Sequence, residues 1–200
     1  MSIKIEKDER VDITKGTGIT SVTVGLGWSP ADPNTPPDKK IDVDLLIALQ
    51  DSTGKCPTDY DVIYFGMERT NNKLMHKSGS VTHSGDNRDG AGDGDDESAL
   101  IDLTKIPANI EKMTFVVYIY RAKKKNQKFG GIKDAYARVI NTADNSEMLK
   151  YDLTEDHSAD TAVVVAEMYR NKGEWKFVAL DKGMKDTDIE QILSMFGVSF

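Results

Sequence analysis

Apolar and polar positions alternate along much of the chain with the two-residue period of β-strands, whose successive side chains point to opposite faces. Residues 3–5 and 11–13 show this first, then 21–26, where Val22 and Val24 share one face. Lys15, Gly16, Thr17 and Gly18 read as a turn between them. The segment 41–49, IDVDLLIAL, starts in alternation and becomes wholly apolar after Asp44. A strand does this when it enters a core that covers both its faces. Asp42 and Asp44 then share one face at its solvent end. Further strands are predicted at 61–66, 80–84, 99–103 and, most strongly, at 114–120, TFVVYIY. Residues 135–140 and 147–153 pair as a hairpin, as do 162–170 and 174–180 across the tight turn of Asn171, Lys172 and Gly173. Only near the end does the period change. Ile189, Ile192, Leu193 and Phe196 fall at i, i+3, i+4 and i+7, one stripe of a helix. Thr187 to Glu190 reads as the capping box that opens it, and Gly197 as the residue that closes it.

This rhythm predicts an all-β-dominated fold, a two-sheet β-sandwich with a C-terminal helix. Two hundred residues suit one domain or two small ones and suffice to bury a core. No internal boundary and no clear repeat is visible.

One stretch obeys neither period. Residues 85–97 read GDNRDGAGDGDDE, with six carboxylates at Asp86, Asp89, Asp93, Asp95, Asp96 and Glu97, four glycines, and Arg88 as the only cation. With no apolar residue larger than Ala91, the stretch cannot help bury a core and must be a loop. It joins two predicted strands, which places it at the rim of the sandwich. Carboxylates about 4 Å apart repel by roughly 4 kcal/mol at an effective dielectric near 20. Such a loop either takes up a cation or holds its acids apart in water. Hard oxygen ligands on a flexible glycine loop suit Ca²⁺, which accepts six to eight oxygens in loose geometry. The spacing is not that of an EF-hand: with Gly94 at the sixth position, Leu100 stands where the closing Glu belongs.

The net charge of −7 fits cation binding and solubility and argues against nucleic-acid binding as the main task. Cys56 is the only cysteine, so no intramolecular disulfide forms. The start MSIKIEKDER lacks the apolar core of a secretory signal, and no apolar run approaches a membrane span. The expected setting is cytoplasmic. Residues 121–128 carry five basic groups and no acid. They read as a solvated hairpin, with an acidic partner or an anionic membrane surface as the functional alternative. Histidines occur only at 76, 83 and 157, not at metal-pair spacing, and His157 reads as solvated. No G-x-S-x-G elbow and no phosphate loop is present. The chain is not expected to be an enzyme, and a metal-dependent phosphohydrolase is the competing class.

The acidic stretch also resembles the signature of the TerD family, the bacterial tellurite-resistance and stress-response proteins. The family pattern is roughly GDN-R/L-T-G-E-G-D/E-G-DDE. Here Asp89 replaces the usual Thr and Ala91 the usual acid. Other pieces are similar to the family as well: the Leu-Gly-Trp ending at Trp28, the paired Asp42 and Asp44, the run of Glu155, Asp156 and Asp160, and the sequences EMYR and EWKF. The resemblance spans nearly the whole chain and implies a single TerD-like domain over 1–200. It also implies that acid-bearing segments converge at one rim. The metal ligands it suggests are Asp42, Asp44, Asp86, Asn87, Asp89, Gly90, Asp93, Asp95, Asp96, Glu97, Glu155 and Asp156, with Ca²⁺ as the cofactor. The implied function is a Ca²⁺-dependent interaction module. Its partners would be calcium ions and other proteins of a stress-response system, with a membrane surface as a further candidate and no nucleic acid. Nothing in the chain reads tellurite, and an oxyanion would be repelled by an acidic rim.

Overall fold

The computed structural model describes residues 9–91, 94–154 and 157–199. In chain order these form β1 (Arg10–Asp12), β2 (Ser21–Pro30), β3 (Val43–Gln50), β4 (Val62–Ile63), β5 (Val81–His83) and β6 (Glu97–Asp102). There follow β7 (Lys112–Ile119), the single helical turn α1 (Ala122–Lys125), β8 (Ile132–Asn141), β9 (Glu147–Asp152), β10 (Ala162–Asn171), β11 (Glu174–Met184) and the helix α2 (Ile189–Met195). The expected strand at 3–5 lies outside the described residues. Among the described residues no helix is long and apolar enough to cross a membrane.

Two antiparallel sheets result, one in the order β1-β11-β10-β7-β3-β4 and one in the order β5-β6-β2-β8-β9. Their inner faces share one core. Val22, Val24 and Leu26 of β2 meet Val43, Leu45, Ile47 and Leu49 of β3, with Phe115 and Val117 of β7. The opposite face of the six-stranded sheet is covered too. Leu46, Ala48, Val116, Tyr118 and Val164 pack there against Ile192 and Leu193 of α2, against Phe196 at its C-terminal end and against Val62 and Tyr64. Each fully buried Leu, Ile or Phe contributes about 1.5–3 kcal/mol. The central strands are thus buried on both faces, which is why β3 and β7 read as unbroken apolar runs.

Local signals fix the connections. Lys172 and Gly173 both have positive φ, 54° and 84°, as a two-residue hairpin turn requires, and β10 pairs β11 from Asn171 and Glu174 onward. The helix α2 begins one residue later than its sequence suggests. Asp188 is the N-cap and Gln191 closes the capping box. Gly197 (φ 79°) ends it, with Gly197 N donating to Ser194 O and Val198 N to Leu193 O.

Two expectations are corrected. The predicted strand at 61–66 is cut to Val62 and Ile63, which pair only with Ile47 and Ala48. The basic run 121–128 is not a hairpin. β7 belongs to the six-stranded sheet and β8 to the five-stranded one, so the chain crosses between sheets, and the turn α1 bridges the gap.

Candidate metal centre

The site begins where β4 is too short. Because β4 pairs only with Ile47 and Ala48, the edge of β3 is uncovered at Leu45. Two side chains from the other sheet close it. Leu45 N donates to Glu97 Oε2 at 2.8 Å, and His83 Nε2 donates to Leu45 O at 3.1 Å. His83 Nδ1 accepts from Gly85 N at 3.1 Å, which fixes the proton on Nε2. The loop between β5 and β6 therefore starts and ends against the edge of β3.

Past that edge the loop brings Asp86 to Asp42 and Asp44. One carboxylate oxygen from each lies within 4.8 Å of the others. Alternation puts Asp42 and Asp44 on the face of Leu46 and Ala48, the face that the second apolar cluster covers. Asp44 is therefore not at a solvent end. It is 1 % exposed, and Glu97 behind it is 0 % exposed. Neither oxygen of Asp44 has a hydrogen-bond partner, nor has Asp42 Oδ1. Across the β3–β7 pair Asp44 faces Tyr118, whose buried hydroxyl is unpartnered as well. Buried polar atoms are almost always satisfied, and burying a bare carboxylate costs several kcal/mol. Several such atoms around one point mark a place for a cation.

The electrostatics agree. Burial, with the Asp86 charge added, pushes Asp42 up to about 6, against the opposing pull of Lys125 and Arg88. Burial and the charges of Glu97, Asp42 and Asp86 hold Asp44 well above the usual carboxylate range. Burial raises Glu97 to about 8; hydrogen bonds from Leu45 and Asn87 oppose this, and Asp86 and Asp42 add to it. Without a metal ion the cluster relieves its repulsion by taking up protons, helped by Arg88 against Asp86.

Among the described residues, three further acids of the loop are engaged elsewhere. Asp89 pairs with Lys40 at 2.9 Å. Asp95 Oδ1 accepts from Arg138 Nε at 2.7 Å and from the Tyr136 hydroxyl at 3.0 Å. Asp96 accepts from Trp28 N at 2.9 Å and from Asn87 Nδ2 at 3.1 Å. Asn87 organises the turn: its Oδ1 accepts from Asp89 N and Gly90 N, and its own N–H donates to Glu97 Oε1. Gly90 sits at φ 58°, and a Cβ there would meet Trp28 Nε1 at 2.5 Å. Trp28 is thus the packing residue under the loop, 3 % exposed.

Of the sequence-predicted ligands, the structure brings together Asp42, Asp44 and Asp86, with Glu97 directly behind them. It holds Asn87, Asp89, Gly90, Asp95 and Asp96 in the scaffold of the loop. Asp93, Glu155 and Asp156 lie outside the described residues. Farther along, Asp160 bonds His157 Nδ1 at 2.9 Å, and His157 Nε2 bonds Asp181. His157 is buried between two carboxylates rather than solvated. Sequence reasoning missed His83 and Tyr118. The available signal for His83 was its place at the end of a strand, two residues before Gly85 of the acidic loop.

The fold and the site define a class: a β-sandwich with a buried carboxylate centre at the rim, framed by an acidic glycine loop. The TerD domain family matches residues 1–196, and the chain belongs to that family. It is 42 % identical over 184 residues to General stress protein 16U of Bacillus subtilis, covering 92 % of this chain and 91 % of that one. It is 38 % identical over 200 residues to the tellurium resistance protein TerD of Serratia marcescens, covering 100 % of this chain and 99 % of the relative. A solved homologue of telluride resistance protein TerD from Streptomyces coelicolor shares the fold, with a TM-score of 0.70 at 20 % identity over 92 % of this chain and 100 % of that one.

Proposed function

We propose that the chain is a Ca²⁺-binding interaction module of a bacterial stress response that includes tellurite resistance. The relatives named above support the setting. The observation that carries the metal is Asp44, buried on the outer face of β3 with both carboxylate oxygens unpartnered and two further carboxylates within 4.8 Å. Asp42, Asp44 and Asp86 would hold the ion, with Glu97 adding negative charge from behind. Bound Ca²⁺ supplies the charge that this cluster lacks and a point at which a partner's oxygen can coordinate. The protein's own part is to bury the carboxylates and to fix the loop against β3.

Binding rather than hydrolysis fits the surroundings. A metal-assisted hydrolase needs a group to position or deprotonate water. His83, the histidine at this centre, has both nitrogens committed, one to Leu45 O and one to Gly85 N, which leaves, among the described residues, only the carboxylates that would hold the ion to serve as a base.

Isothermal titration tests the reading. Ca²⁺ is expected to bind more tightly than Mg²⁺, which demands near-octahedral geometry and gives up water reluctantly. Equal or tighter Mg²⁺ binding would move the assignment to the hydrolase class.

A further inference from the structure

The rim is not uniformly acidic. The crossover from β7 sets the turn α1 beside the carboxylate centre. Ile119 N donates to Thr161 O and Tyr120 N to Asp42 O, and the backbone then turns sharply at Arg121, whose φ is 54°. Left-handed backbone at an arginine is uncommon. It aims the next residues back over the site. The Arg121 guanidinium lies over the Tyr120 ring at 4.8 Å, and Lys125 Nζ lies over the same ring at 5.7 Å. Among the described residues neither forms an ion pair. Lys125 and Arg88 nevertheless line the same cleft as Asp42. Arg88 pairs with Asp86 at 2.9 Å from the other side.

These groups line one cleft of about 310 Å³, whose walls include Asp42, Asp86, Arg88, Tyr120, Arg121 and Lys125. Phe65 meets Tyr120 edge-on at 5.4 Å, and the two rings form its apolar wall. A second cleft of about 450 Å³ shares Phe65, Tyr120 and Arg121 with the first and adds Lys123 and Lys124 together with Asp188 and Glu190.

The ion count leaves room for a ligand. Ca²⁺ takes six to eight oxygens. Both Glu97 oxygens already accept backbone N–H groups, and Asp86 Oδ2 accepts from Arg88. Among the described residues the remaining oxygens of Asp42, Asp44 and Asp86 number five, so a bound Ca²⁺ would have room for a ligand's oxygen. Asp38, Asp42 and Asp86 line the cleft against Lys40, Arg88, Arg121 and Lys125, so with Asp44 added four carboxylates at most face four cations without the ion, and Glu97 adds at most one negative charge. Bound Ca²⁺ tips the cleft to positive. A ligand that fills such a site needs several oxygens, two negative charges and a small apolar body.

We propose that the cleft binds a phosphomonoester, one oxygen completing the Ca²⁺ shell and the others held by Arg88, Arg121 and Lys125. The inference rests on the Ca²⁺ reading above. Arginine forks suit phosphate oxygens, and Tyr120 with Phe65 receives the organic part. The ligand is either a free phosphorylated small molecule or the headgroup of a lipid such as phosphatidic acid.

Three measurements test it on the full chain. Ca²⁺ titration comes first, on wild type and on the variant R121Q/K125Q. Absence of Ca²⁺ binding to wild type overturns the Ca²⁺ reading and this inference with it. Phenyl phosphate is then titrated into the Ca²⁺-loaded proteins. Wild type is expected to bind it at least tenfold more tightly in Ca²⁺ than in chelator, and at least tenfold more tightly than R121Q/K125Q does. If Ca²⁺ binds but phenyl phosphate does not, the phosphomonoester inference fails alone. Equal affinity for benzenesulfonate, a monoanion of similar shape, also overturns it. Co-sedimentation with phosphatidylcholine vesicles, with and without phosphatidic acid, separates the sources. Ca²⁺-dependent sedimentation that phenyl phosphate competes away supports the lipid headgroup. Phenyl phosphate binding without sedimentation supports the free ligand.

Discussion

Replacing Asp44 with Asn changes the charge at the centre while keeping its shape, and the sign of the effect on stability should depend on calcium. In chelator, Asp44 lies within 4.8 Å of two carboxylates with no hydrogen bond to either of its oxygens. At an effective dielectric near 20, each such pair repels by about 3 kcal/mol. The cluster escapes part of this by protonation, but holding one carboxyl neutral at pH 7 itself costs about 4 kcal/mol, roughly three pH units at 1.4 kcal/mol each. The wild-type fold therefore carries a burden of about 3–4 kcal/mol. Asn removes it, at some cost for its own burial. The net gain expected in chelator is about 2 kcal/mol. In Ca²⁺ the balance turns. At a thousandfold excess over the wild-type Kd the ion adds about 4.1 kcal/mol to wild type, whereas a variant that binds about a hundredfold more weakly gains only about 1.4 kcal/mol, so the variant becomes the less stable by roughly 0.7 kcal/mol. Urea melts of both proteins in chelator and in Ca²⁺, at fixed ionic strength and pH 7, measure the two differences. A variant that is more stable in both buffers, or less stable in both, would refute the reasoning.

Three further outcomes are expected. Gly90→Ala should cost about 2 kcal/mol or more in urea melts, because a Cβ at φ 58° meets Trp28 Nε1 at 2.5 Å and Trp28 O at 2.8 Å; a loss below about 0.5 kcal/mol would count against that packing. Asp95→Asn should leave the calcium Kd within about threefold while Asp44→Asn weakens it about a hundredfold or more, since Asp95 holds Arg138 and Tyr136; equal effects in calorimetry would place Asp95 at the ion. Burial, with the charges of Asp61, Asp51 and Asp59 added, pushes the Cys56 thiol up to about 12, so the folded protein keeps its proton where the unfolded chain loses it. Alkylation at pH 8.5 should be at least about a hundredfold slower in the native protein than in urea, and comparable rates would show that the thiol is open.

The strands were legible because their signals are local. The run of Leu45 to Leu49, the sequence TFVVYIY and the turn at Lys172 and Gly173 each carry their own period or backbone demand. The stripe of Ile189, Ile192, Leu193 and Phe196 declared α2 for the same reason. The burial of Asp44 was not legible. Alternation tells which face a residue is on, but not that α2 and the segment around Val62 cover that face from far along the chain. The division of labour in the acidic loop was hidden likewise. Asp95 and Asp44 are both carboxylates, and only the register of β2 with β8 brings Arg138 to the first. The basic run was visible as a run, yet its place beside Asp42 follows from a crossover between sheets that local patterning does not encode.

The closing of β3 at Leu45 has a consequence apart from any ion. A strand edge with a free N–H and C=O is a template on which a second chain can add a strand, and sheets that keep such edges open tend to associate through them. Covering the edge with another strand only moves the exposure outward by one strand. Glu97 and His83 instead meet Leu45 N and O with side chains, which satisfy the backbone and present no new ladder. The six-stranded sheet therefore ends at β4 and at these two residues, and the molecule is guarded there against growing into its neighbours.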